Sequence, residues 1–306
     1  MIEKFDIGFA YVWEFDGKFA HKFEEIFQAN GLTTFVIGFH NIEEVRERIK
    51  EKSLHFHFYL DRAWDVEEQF ETLGNLLMKR KTHFFNPYKK VLHAIDKATM
   101  HLELMTAGIN VPYSIIIPPV TEKEELFISL SNLAILGRPF IIKPCNTTGG
   151  GIGVITGAES LHDVLFERKF NHEDKYLLQE KIYPVILEGM RAWFRVFYAF
   201  GKIIPVWWDD MTHLYQILSP EEIEKFNLKK LFQITRTINK TVGLDFFSTE
   251  IVITPEQKFI VIDYVNDQCD LRFQSAHRDG VPDEIIVSII NAAKSEVVKL
   301  KRKYRL

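Results

Sequence analysis

Pro139-Phe-Ile-Ile-Lys-Pro-Cys-Asn-Thr-Thr-Gly-Gly-Gly-Ile-Gly-Val154 is the stretch from which the rest of the chain can be read. Phe140-Ile-Ile142 is a short apolar run of the kind that forms a buried strand. It ends at Lys143-Pro144, and a polar, glycine-dense loop leads back to β-type residues at Val154-Ile155. Gly149, Gly150, Gly151 and Gly153 let the backbone take positive φ and approach a ligand closely. Backbone N–H groups of such a loop can cradle phosphate oxygens, and Lys143 supplies a mobile cation beside them. The same residues standing alone would also make a plain hairpin turn with an exposed lysine. No Gly-Lys-Ser/Thr closes the loop, so it is not a Walker phosphate loop, nor is it a Gly-x-Gly-x-x-Gly turn opening a helix.

Around this stretch lie 306 residues, enough for two or three lobes with large cores. With 46% hydrophobic and 26% charged residues and a net charge of −4, the composition is that of a soluble globular protein. The near-neutral charge argues against nucleic acid as a partner, and the basic end Lys299-Leu-Lys-Arg-Lys-Tyr-Arg305 reads as a solvated helix terminus. No apolar run approaches the roughly 20 residues of a membrane span. The start, Met1-Ile-Glu-Lys-Phe-Asp6, lacks the layout of a signal peptide. Cys145 and Cys269 are too few for a disulfide framework, and Cys269 reads as structural because no partner base is evident. These features predict a cytoplasmic protein without a membrane partner.

Residues 5–12, 33–37 and 54–60 read as strands separated by amphipathic helices over 18–30 and 42–52. That is β-α-β-α-β, an open parallel sheet, followed by a helix over 66–79 and a hinge at 83–88. Ligands of such sheets bind beyond the carboxyl ends of strands, where Asp61 and Arg62 fall. Arg62 is there either a substrate contact or half of a local ion pair. Asp96 caps a helix over 97–107, and Thr121-Glu-Lys-Glu124 predicts a capping box opening a helix that ends at Gly137. Tyr176–Glu180 is a strand, and Arg191–Val206 a hairpin turning at Gly201-Lys202. Trp207 and Trp208 read as core. Glu250 and Asp263 lie at opposite ends of a second hairpin that turns at 255–258, so their carboxylates come side by side. Such a pair within apolar strands is costly to bury unless paired or metal-bound, and with an amide oxygen it suits Mg²⁺. Pro282 begins a last helix.

Asp96-Lys97, then Ala107-Gly-Ile-Asn-Val-Pro112, the Lys143 loop and the two later hairpins stand in the order of the ATP-grasp superfamily, which this chain resembles over essentially its whole length. The resemblance implies an α/β plus α+β architecture. Residues 1–90 would form a pre-ATP-grasp domain, 91–180 a small lobe and 181–306 a large lobe, with ATP clamped between the lobes. By this resemblance Lys97, Lys143, Thr148, Gly149, Gly150 and Gly151 would reach nucleotide phosphates. Gln179, Glu180, Lys181 and Ile182 match the linker that binds adenine, and Glu188 is the ribose candidate. Arg195, with Arg191 second, would neutralise the transferring phosphoryl group. Glu250, Asp263 and Asn266 would hold one or two Mg²⁺ ions, with Mn²⁺ as a substitute. The family's acid, one residue, asparagine pattern has an extra residue here, Asp263-Tyr-Val-Asn266, which leaves Asn266 and Asp267 as alternatives.

The chemistry so implied is phosphoryl transfer from ATP to a carboxylate, giving an acylphosphate that an amine, or a thiol, then attacks. The partners would be a small-molecule or peptide carboxylate and an amine acceptor. Arg272 and Arg278, with His277, would hold a substrate carboxylate from the polar loop 267–280. A homodimer is among the assemblies the resemblance allows. Two other readings stay open at this stage: a kinase of the same fold using Asp267 or His277 as base, and a nucleotide-binding module without catalysis.

Overall fold

The computed structural model describes residues 2–146 and 151–306. Thr148, Gly149 and Gly150, three of the expected phosphate-loop residues, lie outside them.

The chain opens with β1 (Glu3–Tyr11), α1 (Gly17–Gln28), β2 (Thr34–Ile37), α2 (Ile42–Lys50), β3 (Leu54–Arg62), α3 (Glu68–Met78) and β4 (His83–Phe85). These strands form one parallel sheet in the order β2-β1-β3-β4. The segment His83–Phe85, expected to be a hinge, is therefore a fourth strand. Its Phe84 and Phe85 are buried, and apolar side chains of that size gain more from an edge of the sheet than from a solvated linker. Register sets Tyr11 beside Arg62, so the loop after β1 and the end of β3 share one rim.

Next come α4 (Tyr88–Ile95), α5 (Lys97–Thr106), β5 (Ser114–Ile117), α6 (Leu130–Leu136), β6 (Phe140–Pro144), β7 (Ile155–Ala158), α7 (Leu161–Glu167) and β8 (Tyr176–Glu180). The four strands make an antiparallel sheet, β5-β8-β6-β7, over a core that includes Phe140, Ile142, Tyr176 and Leu178. The expected helix from Thr121 is absent until Leu130, where Ser129 caps it. A tertiary contact overrides the local signal. The Arg168 guanidinium, 1% exposed, donates to the carbonyls of Pro118, Lys123 and Glu124 at 2.8–3.1 Å, so those carbonyls point to it and not along a helix.

The last part contains the small hairpin β9 (Ile186–Leu187) and β10 (Met190–Arg191), then β11 (Trp193–Ala199), β12 (Lys202–Trp208), β13 (Tyr215–Ile217), α8 (Pro220–Lys225), α9 (Lys229–Val242), β14 (Phe246–Ile253), β15 (Phe259–Asn266) and α10 (Asp283–Tyr304). An antiparallel sheet, β13-β12-β11-β14-β15, carries α4, α5 and α9 on one face through Phe194, Val196, Phe247, Ile251 and Val261. Its other face shares a core with the parallel sheet: Ile7, Phe9 and Phe58 pack with Phe197, Phe246 and the α10 residues Ile286 and Ile290. Every residue of β14 is buried.

Gly74 interrupts the interior of α3, where alanine would favour the helix by about 1 kcal/mol. Its place is explained by Tyr88: a Cβ at position 74 would stand 2.0 Å from the Tyr88 hydroxyl oxygen. Tyr88 cannot retreat cheaply because its hydroxyl bonds the buried Asp61 carboxylate and its ring stacks on Trp64. Overpacking typically costs about 1–3 kcal/mol, so the clash outweighs propensity. Gly74→Ala is expected to lower the unfolding free energy in urea by about 1–2 kcal/mol; a stabilised variant would show that Tyr88 is not wedged there.

Candidate active site

β11 runs antiparallel to β14 with Arg195 opposite Glu250, and β14 to β15 with Glu250 opposite Asp263. The hairpin alone does not give that pairing. Continuing from Ile251 opposite Val261 would set Ile262 against Glu250, but β15 carries an extra residue there, and the bulge brings Asp263 level. A second irregularity absorbs one residue between Asp263 and Asn266 and sets Asn266 opposite Ser248. Side chains alternate along a strand, so Ser248 and Glu250 share a face. The extra residue in Asp263-Tyr-Val-Asn266 is thus accommodated by the backbone, and Asn266 stays in register with the row. Asp267 departs from it: it is buried, accepts from Gln268 Nε2 at 3.2 Å, and lies in the field of Asp65 and Arg62, with burial first and Asp65 next pushing its pKa to about 7.

The contacts within the row are specific. Arg195 Nη2 forms an ion pair with Glu250 Oε1, and Arg195 Nη1 donates to Ser248 Oγ at 3.3 Å. The guanidinium lies 4.8 Å from the centre of the Trp208 ring. Trp193 Nε1 donates to Glu250 Oε2 at 3.1 Å. Thr249 Oγ1 donates to the Asp263 carbonyl at 2.9 Å, pinning the bulge from the opposite face. From the other sheet, Lys143 at the end of β6 donates through Nζ to the Ile262 carbonyl at 3.3 Å, so it reaches the bulge itself. Lys143, Arg195 and Glu250 are all less than 10% exposed. Burial lowers the Lys143 pKa against the pull of Asp263 and Glu250, and Lys97 pushes it the same way as burial. Burial also raises that of Glu250, with Arg195 opposing and Asp263 adding. Lys97, Lys143, Glu250 and Asp263 therefore act in one electrostatic field. Lys97 starts α5, its N–H donating to the Cys145 carbonyl at 3.0 Å, behind the Asp96 cap.

Beside the row, Trp193, Val252, Ile260 and Ile262 form an apolar floor against which Ile182 and Trp208 pack. The linker strand edges this floor. Gln179 is fully buried, its Nε2 donating to the Tyr264 hydroxyl at 3.3 Å, and His101 Nδ1 bonds the same hydroxyl at 2.6 Å. The Glu180 carboxylate is taken by the Tyr113 N–H at 2.6 Å, while Lys181 extends over the Tyr183 ring.

Other expected residues sit elsewhere. Glu188 is at the tip of the β9–β10 hairpin, exposed and paired with Lys225. Arg191 forms a two-pronged pair with Asp210 at 2.7 and 2.9 Å. Arg62 is a buried fork on Asp16 at 2.9 and 3.1 Å and on the Cys269 carbonyl, with Nη1 left over. Arg272 is held between Asp270 and Asp279, and Arg278 lines a cleft of about 470 Å³ with Tyr215 and Gln274. Burial pushes both cysteine thiols to about 12, which fits structural roles. The sequence reading missed Trp193 and Ser248. Each lies two residues from an expected site residue on the same strand, the spacing that puts side chains on one face.

No protein-family profile and no curated sequence matches this chain. Solved structures do. A RimK domain ATP-grasp protein from Sphaerobacter thermophilus aligns over 94% of this chain and 98% of its own, at 18% identity and a TM-score of 0.63. The D-alanine–D-alanine ligase of Bacillus anthracis, complexed with ATP, aligns over 96% and 98%, at 14% identity and 0.64. The ATP-grasp ligase PsnB with minimal precursor, Mg and ADP aligns over 94% and 98%, at 13% and 0.56. The protein has the ATP-grasp fold. Among the described residues no group of three His, Cys, Asp or Glu could hold a metal, so a cation here would draw on the Glu250–Asp263 pair, an amide and ligand oxygens. No helix among the described residues is long and apolar enough to cross a membrane.

Asp61, at the end of β3, accepts from Tyr88 and from the Ala63 N–H, yet burial raises its pKa to about 6. The folded state therefore holds this proton more tightly than the unfolded chain. Its stabilising effect is complete below pH ~4 and is lost as pH rises through about 6, roughly 2–3 kcal/mol in all. Urea unfolding at about pH 4.5 and about pH 7.5 should show a smaller loss of stability in Asp61→Asn than in wild type, by about 2 kcal/mol. Equal losses would remove Asp61 as the source.

Proposed function

We propose that this protein is an ATP- and Mg²⁺-dependent ligase that joins a carboxylate to an amine through an acylphosphate. The observation that carries the reading is the convergence of Lys143 from one sheet with Arg195, Glu250 and Asp263 from the other. Such an arrangement of cations and paired carboxylates suits a triphosphate and its metal. The structural neighbours include a ligase complexed with ATP and one with Mg and ADP. On this reading, residues 91–180 and 181–306 form the two lobes that clamp the nucleotide, and residues 1–90 a preceding domain.

Each residue then has a physical task. Glu250, Asp263 and Asn266 offer hard oxygen donors in register across β14 and β15, the set that Mg²⁺ accepts alongside phosphate oxygens. Held by these three residues, a Mg²⁺ ion would supply positive charge that stabilises phosphoryl transfer. Lys143 and Lys97 supply positive charge to the phosphates; burial lowers the basicity of Lys143, and nearby negative charge opposes that shift. Arg195 faces the carboxylate row and would neutralise charge that develops on the phosphoryl oxygens. The floor of Trp193, Val252, Ile260 and Ile262, closed by Ile182, offers an apolar surface to an adenine ring, with the backbone of Glu180–Ile182 at its edge. A substrate carboxylate oxygen attacks the γ-phosphorus and ADP leaves. The amine then attacks the acyl carbon, the acyl C–O bond breaks, and phosphate departs with the proton the amine loses, leaving a C–N bond.

Calorimetric titration with a slowly hydrolysed ATP analogue and Mg²⁺ tests this. Lys143→Ala should bind about ten- to a hundredfold more weakly, the loss of about 1.5–3 kcal/mol expected for a buried charge-assisted contact. Phosphate release should require a carboxylate and an amine together. Folded wild type that binds no nucleotide with or without Mg²⁺ would sink the reading.

A further inference from the structure

The two oxygens of Glu250 are held by donors of different kinds. Oε2 accepts from the Trp193 indole N–H at 3.1 Å, and Oε1 is paired with Arg195. Trp193 is 8% exposed and its ring is packed among Val252, Ile260 and Ile262. An indole N–H has no lone pair and a single direction of donation, so leaving Glu250 would strand it in an apolar wall. Arg195 is differently placed. Its Nη1 already reaches Ser248 Oγ, its flat face rests on Trp208, and its Nε has no partner. It can give up Oε1 and keep other contacts. The Asp263 carboxylate beside them accepts no hydrogen bond among the described residues.

We propose that Trp193 is a positioning residue that holds Glu250 Oε2 permanently, and that Arg195 is the exchangeable occupant of Oε1, yielding it to a divalent cation and turning to the phosphates. Trp193 thereby fixes which oxygen faces the cation, the role that hydrogen-bonded groups behind a ligand carboxylate commonly play. Arg195 keeps the buried carboxylate compensated until the cation arrives, since an unpaired charge at this depth would be strongly unfavourable. A doubly charged ion replaces a singly charged one at the same oxygen, and the displaced cation remains beside the incoming anion. This rests on the reading of Glu250 and Asp263 as metal ligands given above.

The test is Mn²⁺ binding followed by electron paramagnetic resonance, without nucleotide and with a slowly hydrolysed ATP analogue. Trp193→Phe removes the N–H and keeps a ring; it should bind Mn²⁺ about tenfold more weakly, the lower end of what loss of such a supporting contact costs. Arg195→Gln removes the competitor. In the absence of nucleotide it should bind Mn²⁺ about tenfold more tightly than wild type, the worth of one hydrogen bond to a charged group. Changes of opposite sign separate the two roles from general damage to the fold. Trp193→His, which keeps a ring N–H, should recover most of the lost affinity. Weaker or unchanged nucleotide-free Mn²⁺ binding in Arg195→Gln would overturn the exchange, and unchanged binding in Trp193→Phe the positioning role. Should Trp193→Phe fail to unfold cooperatively, the histidine variant and the Arg195 arm decide. Glu250→Gln is the control for the underlying reading: if it binds Mn²⁺ as wild type does, with and without nucleotide, Glu250 is no ligand and the inference falls with it.

Discussion

The most demanding requirement in this structure is a carboxylate, Glu250, in the middle of a strand whose residues are all buried. A lone carboxylate there would be neutralised or would unfold the strand. Here Arg195 and Trp193 occupy its two oxygens, and Asp263 stands across the ladder. Such an arrangement adds little net stability over a well-packed apolar alternative, and removing one member costs several kcal/mol. Its presence is therefore hard to account for by folding alone. The neighbouring architecture serves it: Trp208 covers the guanidinium, two irregularities in β15 set the register, and Thr249 ties the bulge from behind.

The same row is where separate parts of the chain meet. Lys143 comes from the sheet β5-β8-β6-β7 and bonds the carbonyl of Ile262, one residue from Asp263. Behind it, the Tyr264 hydroxyl is hydrogen-bonded to His101 of α5 and accepts from Gln179 of β8. Burial lowers the pKa of His101, so this buried link is made of neutral groups and needs no counter-ion. The parallel sheet is joined more broadly, through the apolar core that α1 and α10 complete with the far face of β11 and β12. The sheet β5-β8-β6-β7 also has apolar contact with the sheet that carries the row, since Cys145 and Leu177 share a core with Phe194, Val196 and Ile251.

Much of this was legible in the residues. The lysine at a strand end before a glycine-rich loop was read as a hairpin, and β6 and β7 pair antiparallel. The apolar runs around Glu250 and Asp263 gave a hairpin because strand patterning and a turn at 255–258 are local signals. The arginines were harder. Arg62 and Arg272 are guanidiniums in polar rims, and a sequence cannot say that Asp16, Asp270 and Asp279 are already on them. Thr121-Glu-Lys-Glu124 satisfies every local rule for a helix start and yet is not one, because Arg168, more than forty residues later, holds the carbonyls.

What the sequence determined by itself was the set of local elements and the chemistry at their ends, since periodicity, caps and glycine conformations act within a few residues. The tertiary structure decided which charges face one another. The bulge at Ile262 exchanges an isoleucine for an aspartate opposite Glu250, and nothing in the strand's own composition specifies that one-residue step. It is selected by the whole sheet, through the apolar faces that must be buried on either side and the buried charges that must find partners.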